Sequence, residues 1–452
     1  MALAPDDLIV APATPPGRGA LAVVRLTGAG SLDVAAALAG RTSWTTRAAT
    51  RAALRLEDGI VEQALVTTFV APRSFTGQDC VEFSVHGSPV VVDALVRACL
   101  RAGARLAEPG EFSLRAFLNG KLDLLQAEAV ADLVAATTVP QVRMASAHLE
   151  GILSREIVAL GDELAAVRAL LEASLDFPDE GFHFITPAEL LARLRRVHVG
   201  CERLLATAES GRRLHEGALV VLAGRPNAGK SSLFNALLRR PRAIVTAVAG
   251  TTRDLLLEPM EIGGIPIRVV DTAGLRPSSD PVEAEGVARA TEAVASADIV
   301  VYVVDGTADE TEQAASRAAW SEMTGGGARL LAISKADLWQ GRGGPPAWCP
   351  PDAVATSVQW GSGLEALEAA LASLLGRAPV DGASLTRSRH RALVAACASA
   401  VARAIAMAEE GGSEEYVLAD LQEALSSLAS LRGVETPDEV LRAIFSSFCI
   451  GK

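Results

Sequence analysis

Residues 218–232 read ALVVLAGRPNAGKSS. The apolar run at its start predicts a buried strand, and the LFNALLRR that follows has the apolar spacing of a helix. Between them lie Gly224, four further residues, then Gly229, Lys230 and Ser231, which is the P-loop spacing in the strand–loop–helix context that the motif requires. Backbone N–H groups in such a loop surround phosphate oxygens, and the helix N-terminus adds a favourable field. The stretch therefore predicts a doubly wound α/β domain around a nucleotide.

Further parts of the same nucleotide site follow in order along the chain. Lys230 is expected to reach the β- and γ-phosphates, and Ser231 to bind Mg²⁺. The segment GTTRD has the character of a switch loop, in which Thr252 would contact Mg²⁺ and the γ-phosphate. The strand IPIRVVD ends at Asp271, which would hold the metal shell, and the N–H of Gly274 can sense the γ-phosphate.

The base-reading motif departs from the usual Asn-Lys-x-Asp. It reads Ser334-Lys335-Ala336-Asp337 after the apolar strand LLAIS. The carboxylate of Asp337 can accept two N–H bonds from guanine, which adenine does not offer, and Lys335 can lie along the base plane. Because Ser334 is shorter than Asn and lacks the amide, we expect guanine selectivity to survive with weaker affinity. SVQWGSG (357–363) fits a last base-contacting loop that enters a helix.

Hydrolysis needs a group that orients the attacking water. Ras-like proteins use a Gln soon after the DxxG glycine, whereas this chain has Leu275 and then Arg276. The next acidic segment offers Glu283 and Glu285 as candidates. The alternative interpretation of that segment is a solvated acidic loop that leads into the next helix.

Composition limits the class of protein. The 452 residues suffice for two or three domains, and no uncharged run is long enough to predict a membrane-spanning helix. MALAPDDLIV lacks the basic start of a signal peptide, and six cysteines without a CxxC pair fit a reducing cytoplasm. The net charge of −12 argues against a surface that attracts nucleic acid as a whole. A nucleic-acid role would need a local basic patch or a basic partner.

Distinctive motifs also lie outside the nucleotide site: APATPPGRGALAVVRLTG, SFTGQDCVEFSVHG, PGEFSLRAFLNGKLDLLQAEAVADL, LDFPDE and the terminal IFSSFCIGK. Together with GRPNAGKSSLFNAL, AIVTAVAGTTRD and DTAGLR, they resemble the signatures of the MnmE (also called TrmE) tRNA-modification GTPase family over nearly the whole chain.

The resemblance implies a multidomain protein of α/β plus α class. An N-terminal folate-binding-like α/β domain, 1–118, would bind tetrahydrofolate and pair with its twin in a homodimer. A discontinuous helical domain would consist of 119–214 and 379–452, and a Ras-like P-loop GTPase domain, 215–378, would be inserted between them. Helical apolar spacing in the two flanking stretches agrees with this division.

The resemblance also extends the nucleotide site. The implied GTP-binding residues are Asn227, Ala228, Gly229, Lys230, Ser231, Ser232, Thr246, Ala247, Val248, Ala249, Gly250, Thr251, Thr252, Asp271, Thr272, Ala273, Gly274, Ser334, Lys335, Ala336, Asp337, Ser357, Val358 and Gln359. The implied K⁺ ligands are Asn227, Thr246, Val248 and Thr251. K⁺ would supply the positive charge that an arginine finger supplies elsewhere. Glu283 matches the family's water-orienting glutamate, whereas Ala247 stands where an acid is common.

Four residues match positions that resemble the family's site for a tetrahydrofolate derivative, in its 5-formyl or 5,10-methylene form: Arg25, Glu82, Lys121 and Lys452. A carboxylate such as Glu82 suits the paired N–H donors of a pterin-like ring, and basic groups suit the glutamate tail. Only four of the 42 basic residues are lysines, and Lys121 and Lys452 are two of them. The alternative is a set of ordinary salt bridges at a domain junction.

The terminal CIGK is not a prenylation signal, because Gly451 and Lys452 stand where such a signal has other residues. In the family the terminal Cys-x-Gly-Lys is a functional signature, so we expect Cys449 to be an active-site residue. It could act as a thiolate nucleophile or as a proton-donating thiol. The alternative is a small apolar residue in a packed tail.

The resemblance implies a K⁺-stimulated GTP hydrolase of the cytoplasm. With a FAD- and NADH-dependent partner of the MnmG (GidA) type, in a heterotetramer, it would add an aminomethyl or carboxymethylaminomethyl group to carbon 5 of the wobble uridine of certain tRNAs. The one-carbon unit would come from tetrahydrofolate. Two alternatives remain open: an Era-like ribosome-assembly GTPase switch, and a GTP-controlled folate-dependent one-carbon transferase with another acceptor.

A tRNA surface could include two basic clusters. One comprises Arg193 and Arg196, three residues apart on a predicted helix, and the other Arg387, Arg389 and Arg391. Solvated helix faces are the favoured interpretation of both clusters, and the acidic net charge suggests that the partner supplies much of the tRNA-binding surface.

Overall fold

The computed structural model describes residues 7–176, 184–238, 260–271, 292–323, 327–339, 345–376 and 382–451. The chain separates into two compact units. Unit 1 comprises Met1–Ala135, Ala145–Cys201 and Leu393–Lys452. Unit 2 comprises Ala136–Met144 and Glu202–Ala392.

Strands predominate in residues 9–106 and 218–355, and the two long stretches 111–216 and 364–446 contain helices. The helices are α1 (Ser31–Ala39), α2 (Pro89–Arg101), α3 (Glu111–Leu118), α4 (Leu124–Ala135), α5 (Val139–Leu149), α6 (Ile152–Asp176), α7 (Pro187–Ala206), α8 (Ala208–Glu216), α9 (Lys230–Leu238), α10 (Glu310–Glu322), α11 (Leu364–Leu375), α12 (Ser388–Glu409), α13 (Glu414–Arg432) and α14 (Asp438–Ser446). The strands are β1 (Ile9–Pro12), β2 (Leu21–Thr27), β3 (Thr50–Arg55), β4 (Val61–Phe69), β5 (Cys80–His86), β6 (Arg105–Leu106), β7 (Ala218–Ala223), β8 (Met260–Ile262), β9 (Ile265–Asp271), β10 (Ile299–Asp305), β11 (Ala328–Ser334) and β12 (Val354–Ala355).

Local sequence signals set several helix boundaries. The side chain of Asp309 caps α10 by accepting a hydrogen bond from the N–H of Glu312 at 2.8 Å. Ser413 caps α13 in the same way, and Gly433 ends that helix in the left-handed conformation. Such caps satisfy backbone groups that the helix itself leaves unpaired, so they fix where each helix begins and ends.

Unit 1 contains a six-stranded sheet in the order β3-β4-β5-β2-β1-β6. Neighbouring strands are antiparallel except for β1 and β6, which are parallel. One face of the sheet packs against α1 and α2 through a core that includes Val24, Leu54, Phe83 and Leu95. At β1 the other face packs against Phe112 of α3. The alternation of buried and exposed residues along β2 to β5 reflects the side-chain period of a strand.

The remainder of unit 1 is helical. α6 lies against α13, where Arg168 of α6 donates to Gln422 of α13 at 2.7 Å. Arg193 and Arg196 of α7 both bind Glu163 of α6, at 3.0 and 2.7 Å. The charges of this candidate basic cluster are therefore compensated within the bundle, which favours the helix-face interpretation over a tRNA contact.

Helix α12 is long and apolar enough to cross a membrane by length and composition, with a mean hydropathy of 1.6. Core helices of globular proteins pass the same test. Its buried residues include Val394, Cys397 and Val401, and Cys397 lies 3.7 Å from Cys201 of α7 between the two sulfur atoms. Within the described residues α12 is thus a weak membrane candidate with one side packed in protein.

Unit 2 contains a second six-stranded sheet in the order β12-β11-β10-β7-β9-β8. All neighbours are parallel except the hairpin of β8 and β9. Helices α9 and α11 contribute to a core on one side, and residues around α10 to a core on the other. The predicted doubly wound, Ras-like fold is confirmed, and with unit 1 so is the α/β plus α class. The P-loop leaves the carboxyl end of β7, where open sheets bind ligands.

Candidate functional site

The P-loop joins β7 to α9 through backbone that only particular residues can adopt. Gly224 has φ +139°, and a Cβ there would overlap the carbonyl oxygen of Val303 on β10. Gly229 has φ +94°, and a Cβ there would lie 3.3 Å from Ser334. Asn227 has φ +60°, a left-handed conformation that Asn tolerates better than most residues. The loop therefore lies directly against the ends of β10 and β11.

Lys230 is buried within the loop. Its ammonium donates to the carbonyl oxygens of Gly224 and Arg225, both at 2.8 Å. A buried ammonium needs such acceptors, and a phosphate oxygen in the loop would be a stronger one. The position suits the phosphate contact expected from the sequence.

Two residues expected around Mg²⁺ meet in the structure. The Ser231 hydroxyl, in the first turn of α9, donates to the carboxylate of Asp271 at the end of β9, at 2.6 Å. A hydroxyl and a carboxylate are the oxygen donors that Mg²⁺ takes, with phosphates and water completing its shell. In the described part of the chain, no group of three or more His, Cys, Asp or Glu side chains could hold a metal by itself. The donor set therefore fits an ion that is bound together with a nucleotide.

Ser334 ties the base-reading motif to the P-loop. Its buried hydroxyl lies 2.7 Å from the carbonyl oxygen of Ala228 and 3.1 Å from that of Val304. One hydroxyl proton serves one acceptor at a time, and the shorter distance favours Ala228. A serine thus makes a direct bond to the phosphate-binding loop from the position where the motif usually has Asn.

The other two base-reading side chains are also fixed. Lys335 has φ +58°, and its ammonium forms an ion pair with Asp305 at the end of β10. Asp337 accepts a hydrogen bond from the hydroxyl of Ser357 at 2.6 Å. Val358 and Gln359 follow in an exposed loop, Ala336 begins a short 3-10 helix, and Ser232 is exposed on α9.

Asp305 was not among the residues predicted from the sequence. One of its carboxylate oxygens, Oδ1, accepts hydrogen bonds from the N–H and the hydroxyl of Thr307, at 2.8 and 2.7 Å. Burial raises the pKa of the Asp305 carboxyl, but the bonds from Lys335 and Thr307 outweigh burial and hold the pKa below its usual range. The available signal was its position, at the carboxyl end of the strand beside the Ser334 motif.

A second cluster lies in unit 1. Arg25 of β2 and Glu82 of β5 are direct partners in the sheet register. Arg25 donates twice to Oε1 of Glu82, at 3.0 and 2.7 Å. The guanidinium carbon also lies 5.3 Å from the ring centre of Phe75 and 5.6 Å from that of Phe112. The ion pair and the two rings together fix the direction of Arg25.

The C-terminal tail reaches this cluster. Arg25 Nη1 lies 3.5 Å from the carbonyl oxygen of Gly451, and the N–H of Gly110 donates to the carbonyl of Cys449 at 3.4 Å. Gly451 has φ +92°, and a Cβ there would overlap the carbonyl oxygen of Pro12. Cys449 itself is exposed. The tail is therefore held by its backbone, which leaves the thiol accessible.

Lys121 is tied to the loop that carries Phe75. Its ammonium donates to the carbonyl of Pro72 at 3.1 Å. Asn119 donates to the carbonyl of Thr76 at 2.7 Å. The structure thus joins Arg25, Glu82 and the tail directly, and it places Lys121 beside the same loop.

The remaining predicted site residues lie outside the described residues. They are Thr246, Ala247, Val248, Ala249, Gly250, Thr251, Thr252, Thr272, Ala273, Gly274, Glu283 and Lys452.

Comparison with known proteins gives matches along the whole chain. The family model of the MnmE helical domain matches residues 124–449, and that of the GTP-binding protein TrmE N-terminus matches 8–121. The tRNA modification GTPase MnmE of Aromatoleum aromaticum is 42% identical over 450 residues, 99% of this chain and 98% of that protein. The protein of the same name from Pseudomonas aeruginosa (strain UCBPP-PA14) is 41% identical, over 99% of this chain and 100% of its own length.

Among solved structures, the FeoB G-domain from Methanococcus jannaschii is 26% identical and covers 35% of this chain and 97% of its own, with a TM-score of 0.25. That score is too low to support an argument about function. The two family models and the full-length relatives suffice without it: the chain belongs to the MnmE family.

Proposed function

We propose that this chain, a GTPase of the MnmE family, uses its nucleotide cycle to control a tRNA modification. The observation that carries the nucleotide part is the arrangement in unit 2. Lys230 lies inside the P-loop, Ser231 meets Asp271, and Asp337 stands at the end of the motif that Ser334 joins to the loop. The relatives named above, alike over their full length, support tRNA as the substrate.

In this proposal the nucleotide is held at both ends. The P-loop and Lys230 bind the phosphates, Ser231 and Thr252 bind Mg²⁺, and Asp337 accepts the N–H donors of guanine. Mg²⁺, when bound, neutralises charge on the β- and γ-phosphate oxygens. Glu283 orients the water that attacks the γ-phosphate. The other residues that we expect to bind GTP contact the nucleotide from the surrounding loops.

We further propose a K⁺ site next to the phosphates, formed by Asn227, Thr246, Val248 and Thr251. K⁺, when bound, supplies positive charge where it develops during phosphoryl transfer. The left-handed conformation of Asn227 supports this role, because it is the one strained non-glycine residue that the described P-loop contains.

The experiment is GTP hydrolysis by the purified protein in K⁺ and in Na⁺ at matched ionic strength. We expect strong activation by K⁺ that Asn227→Ala abolishes. Asn235→Ala is the matched control, because Asn235 is exposed on α9 and lies outside the loop. Equal rates in both salts would contradict the K⁺ site while leaving the GTPase assignment intact.

The cluster in unit 1 is proposed to bind a tetrahydrofolate derivative, in the 5-formyl or 5,10-methylene form, through Arg25, Glu82, Lys121 and Lys452. The fit rests on the acceptor that Glu82 retains. Both bonds from Arg25 go to Oε1, and Oε2 makes no hydrogen bond to any described residue. Paired N–H donors of a pterin ring suit a carboxylate that retains this acceptor capacity. The folate, when bound, supplies the one-carbon unit.

Cys449 is proposed as the active-site thiol of this cluster. Its exposure beside a fixed backbone supports the role, and the alternatives of nucleophile and proton donor both use that accessibility. Binding of 5-formyltetrahydrofolate to Glu82→Gln and to Cys449→Ser separates recognition from chemistry. We expect the first substitution to weaken binding and the second to leave it unchanged.

A homodimer is proposed through unit 1. The face of the sheet opposite α1 and α2 exposes the large apolar side chains Leu21, Val61 and Leu65. Leu21 lies on β2 and the other two on β4, with β5 between these strands in the sheet. Exposed apolar side chains on one face of a sheet are typical of a protein interface. Light scattering of Leu65→Asp against the unchanged protein tests it, because a buried carboxylate would dissociate the dimer.

The remaining parts of the proposal concern partners and place. A FAD- and NADH-dependent protein of the MnmG type would supply the redox chemistry, since this chain has no strand–GxGxxG–helix dinucleotide motif. The heterotetramer would act in the cytoplasm on the wobble uridine of certain tRNAs, adding an aminomethyl or carboxymethylaminomethyl group at carbon 5. The domain limits 1–118, 119–214, 215–378 and 379–452 belong to the same proposal.

Nucleoside analysis of tRNA from a strain lacking the gene tests the reaction. Loss of the C5-modified wobble uridine, restored by the gene, is the expected result. Intact modification with a defect in ribosome assembly would favour the Era-like switch. Intact tRNA and ribosomes with altered one-carbon products would favour a transferase with another acceptor.

A further inference from the structure

The carboxyl ends of β10 and β11 bring Asp305 and the base-reading motif together. Asp305 pairs with Ser334 in the register of the two parallel strands. Lys335 is the next residue, and its left-handed backbone turns the chain out of the strand. Its ammonium returns across the sheet end to Oδ2 of Asp305. Both ends of the Lys335 side chain are therefore fixed, at its backbone and at its ammonium.

Contacts other than the one with Lys335 orient the carboxylate of Asp305. Its other oxygen, Oδ1, is bound by both the N–H and the hydroxyl of Thr307. This double contact sets the carboxylate plane and leaves Oδ2 directed at Lys335. The carboxylate side chain is 19% exposed and the lysine 38%, so the pair is only partly screened by water.

An unpaired lysine of this exposure would populate many rotamers, because its four-carbon stem is flexible. Ordering such a side chain when a ligand binds reduces affinity. A carboxylate that already holds the ammonium removes most of that penalty. The methylene stem of Lys335 then keeps one conformation, in which it extends from the end of β11 to the end of β10.

We propose that Asp305 is a positioning residue for base binding. It holds the methylene stem of Lys335 in the position where that stem contacts the plane of a purine base. The inference rests on the proposed function in one respect, namely that residues 334–337 bind guanine. In this proposal two acidic residues have different roles in base binding. Asp337 recognises the N–H edge of the base, whereas Asp305 acts through Lys335 on the ring plane, which guanine and hypoxanthine share.

This division predicts different effects on two nucleotides. Asp305→Asn keeps the size of the side chain and the Oδ1 acceptor for Thr307, but it removes the charge that holds Lys335. We expect GDP and IDP to bind about tenfold more weakly, by the same factor, so that their affinity ratio is unchanged. Asp337→Asn, in contrast, should change that ratio, because IDP lacks the exocyclic amino group from which the Asp337 carboxylate accepts a hydrogen bond.

The experiment is calorimetric titration of the full-length protein with GDP and IDP. It uses Asp305→Asn, Lys335→Ala and the double variant. If Asp305 acts through Lys335, the double variant binds GDP as weakly as Lys335→Ala alone. Thr307→Val is the control for local packing, since it removes one bond to Oδ1 and keeps the ion pair. We expect its GDP affinity to stay within about threefold of the unchanged protein.

Three results would overturn the inference. They are an unchanged GDP affinity in Asp305→Asn, a changed ratio of GDP to IDP affinity, and additive losses in the double variant. Urea unfolding of each protein shows whether it is folded, and Asp305→Ser, which keeps an acceptor for the Thr307 N–H, replaces Asp305→Asn if that variant does not fold. An unchanged protein that binds neither GDP nor GTP would instead refute the proposed nucleotide site.

Discussion

Substitution of Gly451 by Ala tests whether the C-terminal tail must approach β1 as closely as it does. The added Cβ would overlap the carbonyl oxygen of Pro12 and lie 3.0 Å from its carbonyl carbon and 3.1 Å from Cα of Ala13. All three neighbours are backbone atoms, which cannot rotate away as a side chain can. The tail itself must therefore move.

The size of the effect follows from two contributions. A residue with a Cβ at φ +92° costs about 1 kcal/mol relative to glycine. Moving the tail also breaks the contact of Arg25 with the Gly451 carbonyl, which at 3.5 Å is already long, so we assign it about 1 kcal/mol rather than the full value of a charged bond. Together these reduce the ratio of docked to undocked tail by roughly thirtyfold.

Gly103→Ala is the matched control. Gly103 has φ +101°, but no atom lies within 4 Å of a Cβ built there. It therefore tests the backbone contribution without the close approach. We expect about 1 kcal/mol of lost stability and no change at the tail.

The assay is hydrogen exchange of peptides covering α14 and the tail, with tRNA modification and GTP hydrolysis measured on the same samples. Gly451→Ala should accelerate exchange in the tail and lower modification, while GTP hydrolysis stays within about twofold. Equal tail exchange in the two alanine variants would show that the approach to Pro12 does not hold the tail.

Three further predictions concern single side chains. Ser334→Ala leaves the buried carbonyl of Ala228 without its hydroxyl donor, so GDP affinity by calorimetry should fall about fivefold, and an unchanged affinity would refute the link. Lys230→Met should reduce GTP hydrolysis about a hundredfold or more, measured as phosphate release, because it removes the buried ammonium of the loop. Burial raises the pKa of the Cys80 thiol to about 12, so iodoacetamide at pH 8 should label Cys449 and spare Cys80 until urea unfolds the protein. The unfolded Cys80 thiol ionises near 9.0. The stability that the buried neutral thiol contributes is therefore lost as the pH rises from about 9 to about 12.

The sequence predicted unit 2 better than unit 1. Three of its strands end in a residue with a chemical role, namely Asp271 on β9, Asp305 on β10 and Ser334 on β11. Two of these residues belong to motifs that also mark where the strands stop. Parallel strands with crossover helices then leave few possible orders. The position of β7 between β9 and β10, parallel to both, follows that rule. The antiparallel hairpin of β8 and β9 does not follow from it.

The sequence could not predict the buried ion network of unit 1. Arg115 of α3 is 1% exposed and donates to Glu111, to Gln78 and to the carbonyl of Asp7. Apolar periodicity along EFSLRAFL identifies a helix, but it gives no partner for a charge whose acceptors are distant in sequence. Such pairs are specified by tertiary contacts, as is the ion pair of Lys335 with Asp305.

The discontinuity of unit 1 has a consequence for synthesis on the ribosome. α6 and α13 lie against each other, yet residues 202–392 of unit 2 are translated between them. At ordinary elongation rates this delay lasts about 10–40 s. During that interval the apolar side of α6, with Leu164, Val167 and Leu171, has no α13 to cover it. We expect nascent chains stalled within unit 2 to bind a chaperone through α6, and completed chains, in which α13 covers α6, to have released it.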